Sequence, residues 1–269
     1  MSTRIAITVS LALLLGACGE AVSDDQLSGE RARELGAQAA FDDPDVERIH
    51  ERMMSVISPD GGWDRARYIE FEWAVAGGNV RQHRWDRWEG DARVQAPVDG
   101  REMVAVFNTD DPTAGRAWLD GEEVAGDEAE ALLSQAYRSH INDAYWLLMP
   151  FKWTDPGVTL RYLGQEEDEN GREWEVVELS FDDGTGLTPQ NRYHAFVNPE
   201  TGRMELWHYY ASPDADPSPS YWTDWGRVGP IELAENRRPD GMDAEPRIFF
   251  PHLRVEAEPP EGAFAPLSP

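Results

Sequence analysis

The first regular pattern in the chain is a set of apolar residues at helical spacing. These positions are Val46, Ile49, Met53, and Val56 or Ile57. Asp43 precedes them as a good N-cap, and Pro44 suits the first helical position because its missing N–H is not needed there. The segment SPDGG at 58–62 then stops the pattern. The sequence therefore predicts one amphipathic helix ahead of the first strand.

From position 65 the apolar residues alternate with polar ones. In ARYIEFEWAV, Ile69, Phe71 and Trp73 share one face of a strand. Short turns at 77–78, 89–90 and 99–100 separate this stretch from NVRQHRWDRW, DARVQA and REMVAVFN. Such short connections leave no room for the crossovers of a parallel sheet, so they predict four strands in an antiparallel meander.

A long helix and further strands follow. One apolar stripe runs along this helix through Ala129, Leu132, Leu133, Ala136, Tyr137, Ile141, Ala144 and Leu148. We expect Asp127 to cap the helix, Pro150 to end the pattern, and the stripe to pack on a sheet face. Alternation resumes in VTLRYLG, REWEVVELSF, NRYHAFV, GRMELWHYY, YWTDWGRVG and RIFFPHLRVE. The prediction is an α+β fold of about ten mostly antiparallel strands in a single domain over 43–269.

The N-terminus carries a different kind of signal. Arg4 precedes an uncharged apolar run at 5–15, about half of the ~20 residues that a membrane-spanning helix needs. Leu15-Gly16-Ala17-Cys18 resembles the bacterial lipobox, which implies a signal peptide at 1–17 and lipidation of Cys18. Residues 18–42 then form the lipid anchor and a flexible tether. Because Gly19 and not Asp follows Cys18, the resemblance implies an outer-membrane anchor facing the periplasm.

Charge and cysteine content exclude several classes of partner and site. The chain has 51 acidic and 24 basic residues and a formal charge of -27, so nucleic acid is not an expected partner. One cysteine in 269 residues allows neither an internal disulfide nor a thiolate metal cluster. Hydrophobic residues still make up 41 %, which is typical of a globular domain. We expect it to be a monomer attached to the membrane through Cys18.

The order of elements resembles LolA and LolB, the bacterial carrier and acceptor of lipoproteins. The resemblance extends from 43 to 124 and includes RQHRWDRWEGDARVQA and GRAWLDGEEV. The second half, with DAYWLLMPFKWTDPGV and NPETGRMELW, is more similar to a family of bacterial lipoproteins thought to share that architecture. The resemblance implies a half-open β-barrel of curved sheet with the long helix packed across its concave face. The resemblance does not assign a catalytic role to any residue of this chain.

Histidines and carboxylates are the remaining candidates for chemistry. No catalytic or cofactor motif is present, so we predict no catalytic site, no metal and no cofactor. Pairing Val197 with Met204 would place His194 opposite Trp207, so that His194 and His208 lie on different faces; a slip of one residue would reverse this. A hydrolase that uses Asp143 or Asp182 with His140 or His194 stays open as an alternative.

Aromatic residues are the strongest functional signal, since the chain has eleven tryptophans. They either fill the core or line a partly wet apolar pocket. The predicted pocket residues are Trp73, Trp85, Trp146, Trp153, Trp207, Tyr193 and Trp222. The glycine-containing segment DDGTGLTP at 182–189 is either a flexible lip beside such a pocket or a plain surface turn.

Together these features favour a non-catalytic, membrane-anchored lipoprotein that binds a lipid or acyl chain in the concave sheet. The alternatives are an envelope hydrolase and a protein-binding envelope adaptor, which would show a contiguous exposed apolar patch.

Overall fold

The alternating segments form one antiparallel sheet in the computed structural model, which describes residues 41–212 and 214–265. The predicted signal peptide, Cys18 and most of the predicted tether lie outside the described residues. The helices are α1 (Pro44–Ile57), α2 (Gly62–Arg65) and α3 (Asp127–Leu148), and a 3₁₀ turn at Met149–Phe151 follows α3. No helix among the described residues is long and apolar enough to cross a bilayer.

The sheet has fourteen strands. The first six are β1 (Tyr68–Val75), β2 (Val80–Asp86), β3 (Asp91–Val98), β4 (Arg101–Asn108), β5 (Asp111–Leu119) and β6 (Glu122–Val124). After α3 come β7 (Val158–Glu167), β8 (Glu173–Phe181), β9 (Arg192–Val197), β10 (Met204–Tyr210), β11 (Ser218–Val228), β12 (Ile231–Arg238), β13 (Ile248–Phe249) and β14 (Leu253–Glu256).

Two meanders meet at β1. The strand order is β6-β5-β4-β3-β2-β1-β13-β12-β11-β10-β9-β8-β7, so the sheet is open, with β6 and β7 at its two edges. β13 pairs with one end of β1 at Ala74 and Val75. β14 pairs with the other end, from Tyr68 to Phe71. Pro251 lies between these two short strands and cannot donate to a ladder, which fits the interruption there.

The strand count corrects the prediction of about ten strands. β5, β6 and β12 were missed, and the last predicted strand is divided into β13 and β14. β5 begins with Asp111-Pro112 and contains Gly115, residues that strands usually disfavour. The bare Cα of Gly115 is needed because a Cβ there would lie 2.6 Å from the Val106 carbonyl oxygen and 2.7 Å from Leu133 Cδ2.

Both long helices lie on the same face of the sheet. Asp43 caps α1 as predicted, accepting a hydrogen bond from the backbone N–H of Asp45 at 2.9 Å. The buried face of α1 consists of Val46, Ile49, Met53 and Ile57, which join the core formed by β8–β12. α3 packs chiefly against β3, β4 and β5 through Leu132, Leu133 and Ala136. The N-terminal part of α3 therefore covers one half of the sheet, while its C-terminal part joins α1 in the core of the other half through Ala144, Leu147 and Leu148.

The β9–β10 hairpin has a different register from the one that the sequence suggested. Val197 does pair with Met204, but a bulge at Glu205 shifts every following pair by one residue. Trp207 therefore lies opposite Ala195, and His194 lies opposite His208. The prediction that the two histidines occupy different faces was wrong because a bulge cannot be read from the alternation of apolar residues alone.

Candidate functional site

A cavity of about 640 Å³ lies beside the C-terminal half of α3 and is also lined by residues of α1, α2, β2 and β7–β10. Ala144, Leu147 and Leu148 of α3 are buried in one core with residues of β8–β12, whereas Ile141 and Tyr145, beside this contact, border the cavity. The turn at 154–156 and the 185–188 part of the predicted lip also line it. The cavity falls within the range of about 300–1,000 Å³ that small-molecule sites occupy.

The wall of the cavity is dominated by aromatic rings. They are Trp63, Trp85, Tyr145, Trp146, Phe151, Phe181, Tyr193 and Tyr209. Tyr193 lies near the centre of this set, with ring centroids 5.3 Å from Tyr145 and 5.4 Å from Tyr209. Leu187 lies on the lip and is 40 % exposed, one of two exposed large apolar side chains among the described residues. Rings that pack against one another form a preorganised apolar surface.

Three cations lie in the same wall. The buried Arg87 guanidinium stacks 3.4 Å from the Trp63 ring and donates to the carbonyls of Trp63 and Ala66. Lys152 forms an ion pair with Asp155 at 2.5 Å. Arg138 is exposed on α3. The cavity lining is therefore mainly apolar, but it includes three cations that differ in burial and in their hydrogen-bond and ion-pair partners.

A buried polar network lies behind the cavity, between α3 and β2. Asp143 is 0 % exposed and accepts hydrogen bonds from Arg81 Nε and Nη2, both at 2.6 Å. His83 Nε2 lies 2.8 Å from Asp143 Oδ2. Burial disfavours the charged carboxylate, but the hydrogen bonds from His83 and Arg81 outweigh it, so the pKa of Asp143 is below its ordinary value. The network fixes α3 to the sheet.

His140 connects this network to the cavity. It is 1 % exposed, lines the cavity, and its ring centroid lies 5.7 Å from that of His83 and 5.4 Å from that of Trp85. Its Nδ1 is buried without a hydrogen-bond partner among the described residues. Burial, with a smaller contribution from His83, lowers the pKa of His140 to about 3. The imidazole is therefore neutral at pH 7.

The seven predicted pocket residues divide into two groups. Trp85, Trp146 and Tyr193 lie in the cavity wall. The other four are packed in the core: Trp73, Trp153, Trp207 and Trp222 are between 0 % and 7 % exposed. Trp207 supports the wall from behind, since its ring centroid lies 4.5 Å from that of Trp146. Trp222 instead holds the buried Arg237 guanidinium 3.4 Å from its ring.

Several wall residues were missed by sequence reasoning. Trp63 precedes the first strand, and Tyr145 was not assigned to the apolar stripe of the long helix. Ile141 was assigned to that stripe as a sheet-packing residue, yet it is only half-buried and lines the cavity. The usable signal was the width of the stripe, because α3 has more apolar positions than one sheet contact requires.

The histidine–carboxylate pairs of the hydrolase alternative do not form among the described residues. Asp143 is bound to His83 and Arg81, and no hydrogen bond joins it to His140. His194 lies 3.2 Å from Glu178, which also pairs with Arg161 and Arg192. Among the described residues, no hydrogen bond or ion pair joins His140 or His194 to Asp182. In the part of the chain that the structure describes, no group of three or more His, Cys, Asp or Glu residues is arranged to hold a metal ion.

Comparisons with known proteins find similarity in architecture. No protein-family model matches the chain, and no curated protein matches it. A LolA superfamily protein from Nitrosomonas europaea is 11 % identical, with a TM-score of 0.44, over 81 % of this chain and 96 % of that one. A DUF1329 family protein from Desulfovibrio piger is 10 % identical, with a TM-score of 0.42 and coverage of 81 % and 96 %.

A third solved structure is a putative outer membrane lipoprotein-sorting protein domain from Vibrio parahaemolyticus. It is 11 % identical, with a TM-score of 0.39, over 81 % of this chain and 97 % of that one. The similar structures therefore include a LolA superfamily protein, the family that the sequence resembles. The site described above is assigned from its own geometry, and no residue role is carried over.

Proposed function

We propose that this protein binds a hydrophobic ligand, a lipid or acyl chain, in the cavity beside α3 and does not act on it chemically. The observation that carries the proposal is the 640 Å³ cavity whose wall is mainly aromatic. Each methylene removed from water contributes about 0.8 kcal/mol, so one acyl chain supplies ample binding free energy. The cavity wall includes no hydrogen-bonded histidine–carboxylate pair among the described residues.

Native mass spectrometry of the full-length chain carrying Cys18→Ser, which cannot be lipidated, tests this proposal. We expect a non-covalent adduct of lipid mass after gentle purification. Ile141→Trp places a larger ring on the cavity side of α3 and should remove the adduct. Gln135→Trp, on an exposed position of the same helix, should retain it. A bare polypeptide mass, together with no response to added fatty acid or phospholipid, would contradict the proposal.

We also propose that the domain is anchored in the cell envelope through a lipidated Cys18 and works at the outer membrane, facing the periplasm. The lipobox-like Leu15–Cys18 segment and the apolar run before it support this. The membrane fraction of the host should contain the wild-type protein with a mature N-terminus at a diacylglyceryl cysteine. Cys18→Ser should leave the chain unprocessed and unlipidated; an unmodified cysteine in the wild-type protein would refute the anchor.

The adaptor alternative has less support. It requires a contiguous exposed apolar patch, whereas the exposed large apolar side chains among the described residues are Val80 and Leu187. Leu187 belongs to the cavity lip, where an apolar group would contact an entering ligand.

A further inference from the structure

The charge balance at the cavity is opposite to that of the whole chain. The chain carries a formal charge of -27, yet the cavity is lined by three cations, Arg87, Arg138 and Lys152, against two carboxylates, Asp64 and Asp155. Lys152 is the only lysine in the sequence. A cationic lining on a strongly acidic protein creates a local site for a negatively charged group.

Arg138 is the cation best placed to receive such a group. Its side chain is exposed on α3 at the cavity and makes no ion pair or hydrogen bond with any described residue. Arg87, by contrast, is buried and held by backbone carbonyls, and Lys152 already has Asp155 as its counterion. In a chain with 51 acidic residues, an arginine without a carboxylate partner at a cavity mouth is available for a ligand.

The cavity suits the apolar part of such a ligand. Its volume of about 640 Å³ lies within the range of small-molecule sites, and its wall is mainly aromatic. An acyl chain therefore has an apolar surface to pack against.

From these observations we infer that the ligand is an acyl amphiphile with an anionic head. Its apolar part lies against the rings of Tyr145, Trp146 and Phe181, and its head pairs with Arg138 at the mouth. This inference rests on the proposed binding function and adds to it the charge of the head. A guanidinium suits this role because it is always charged and binds carboxylate or phosphate oxygens through two parallel hydrogen bonds.

The test compares cis-parinarate, a fluorescent fatty acid, with its methyl ester, titrated into the full-length Cys18→Ser chain. We expect the acid to bind more tightly than the ester, and added salt to weaken only the acid. Arg138→Gln should weaken binding of the acid about fivefold, the usual size for a partly exposed ion pair, and leave the ester unchanged. Arg247→Gln is the matched control, because Arg247 is also exposed and its guanidinium is unpaired among the described residues, but it lies outside the cavity.

The possible outcomes separate this inference from the proposed function. Equal affinity for acid and ester, or an equal loss of both in Arg138→Gln, would overturn the anionic head while leaving apolar binding intact. Failure of both acid and ester to bind would overturn the proposed function itself.

Discussion

The two sides of α3 face very different surroundings. Toward β3–β5, Leu133 and Ala136 are 3 % and 0 % exposed, and Gly115 lets the strand approach so closely that a single added carbon would collide with Leu133. Toward β8–β10, Ile141 and Tyr145 are only half-buried and border the cavity. One helix therefore supplies both a packed interface and the wall of a binding site. Stability should depend on the first side, and ligand affinity on the second.

The largest effect should come from removing the buried carboxylate that fixes α3 to β2. Asp143→Ala leaves Arg81 and His83 without their shared partner, so we expect a loss of about 3–5 kcal/mol in the free energy of unfolding, measured with urea. Glu123→Ala is the control: it breaks the exposed Arg116–Glu123 pair and should leave the urea midpoint nearly unchanged. Similar losses for the two variants would show that the buried network does not hold the helix.

Truncating one apolar residue on each side of α3 tests the comparison directly. Leu133→Ala should cost about 2–5 kcal/mol in unfolding free energy, because the packed interface cannot collapse around the missing atoms. Ile141→Ala should cost much less, because its side chain already borders open space, but it should weaken ligand binding. If Ile141→Ala proves as destabilising as Leu133→Ala, the cavity side is packed and the contrast fails.

Acid should weaken the fold through its buried histidines. Burial lowers the pKa of His140 to about 3 and of His50 to about 4. As the pH falls, both histidines therefore become charged in the unfolded chain before they do so in the folded protein. The contribution of each histidine to the free energy of unfolding is therefore fully present above about pH 6.5 and decreases as the pH drops towards 4. The loss is about 2 kcal/mol per histidine at pH 5. Urea unfolding between pH 7.5 and 5 measures the slope.

Substitution separates the two histidines from other acid effects. His140→Leu should remove the His140 share of the slope, about 2 kcal/mol between pH 7.5 and 5, whatever its effect on absolute stability. His252→Leu, at an exposed position, is the control and should leave the slope unchanged. An unaltered slope in His140→Leu would mean that His140 is not buried in its neutral form.

The smallest effect is expected at the lip. Leu187→Ser replaces an exposed side chain, so the unfolding free energy should change by no more than about 0.5 kcal/mol. The affinity for an acyl ligand should fall about twofold, because the lip loses an apolar contact with the chain. A large loss of stability with unchanged affinity would show that Leu187 contributes to packing and not to ligand binding.

Sequence patterns predicted most of the framework but only part of the site. Regular alternation in β1–β4 and the cap at Asp43 were sufficient to place those elements. β5 and β12 were missed because Pro112, Gly115 and the charged residues of IELAENRR obscure their alternation. The bulge at Glu205 changed the pairing of His194 without any local sequence signal.

The aromatic residues show the limit for the site. Trp146 and Trp207 are equally apolar in the sequence, and their rings are in contact, yet Trp146 lines the cavity and Trp207 is in the core. Trp207 on β10 is enclosed by the rings of Trp146, Tyr193 and Trp222, whereas Trp146 on α3 borders the cavity. Composition and periodicity contain no information about which rings a neighbouring element covers.

The junction of β1 with β13 and β14 has a consequence for the order of events during synthesis. Ala74 and Phe249 pair although 249 minus 74, or 175, positions separate them. β1 is synthesised first, and its open edge is covered only after β13 and β14 have been synthesised. Pairing over so long a loop is also slow. Until then β1 offers unpaired backbone groups to any other strand, so a chain truncated after Arg238 should aggregate rather than fold.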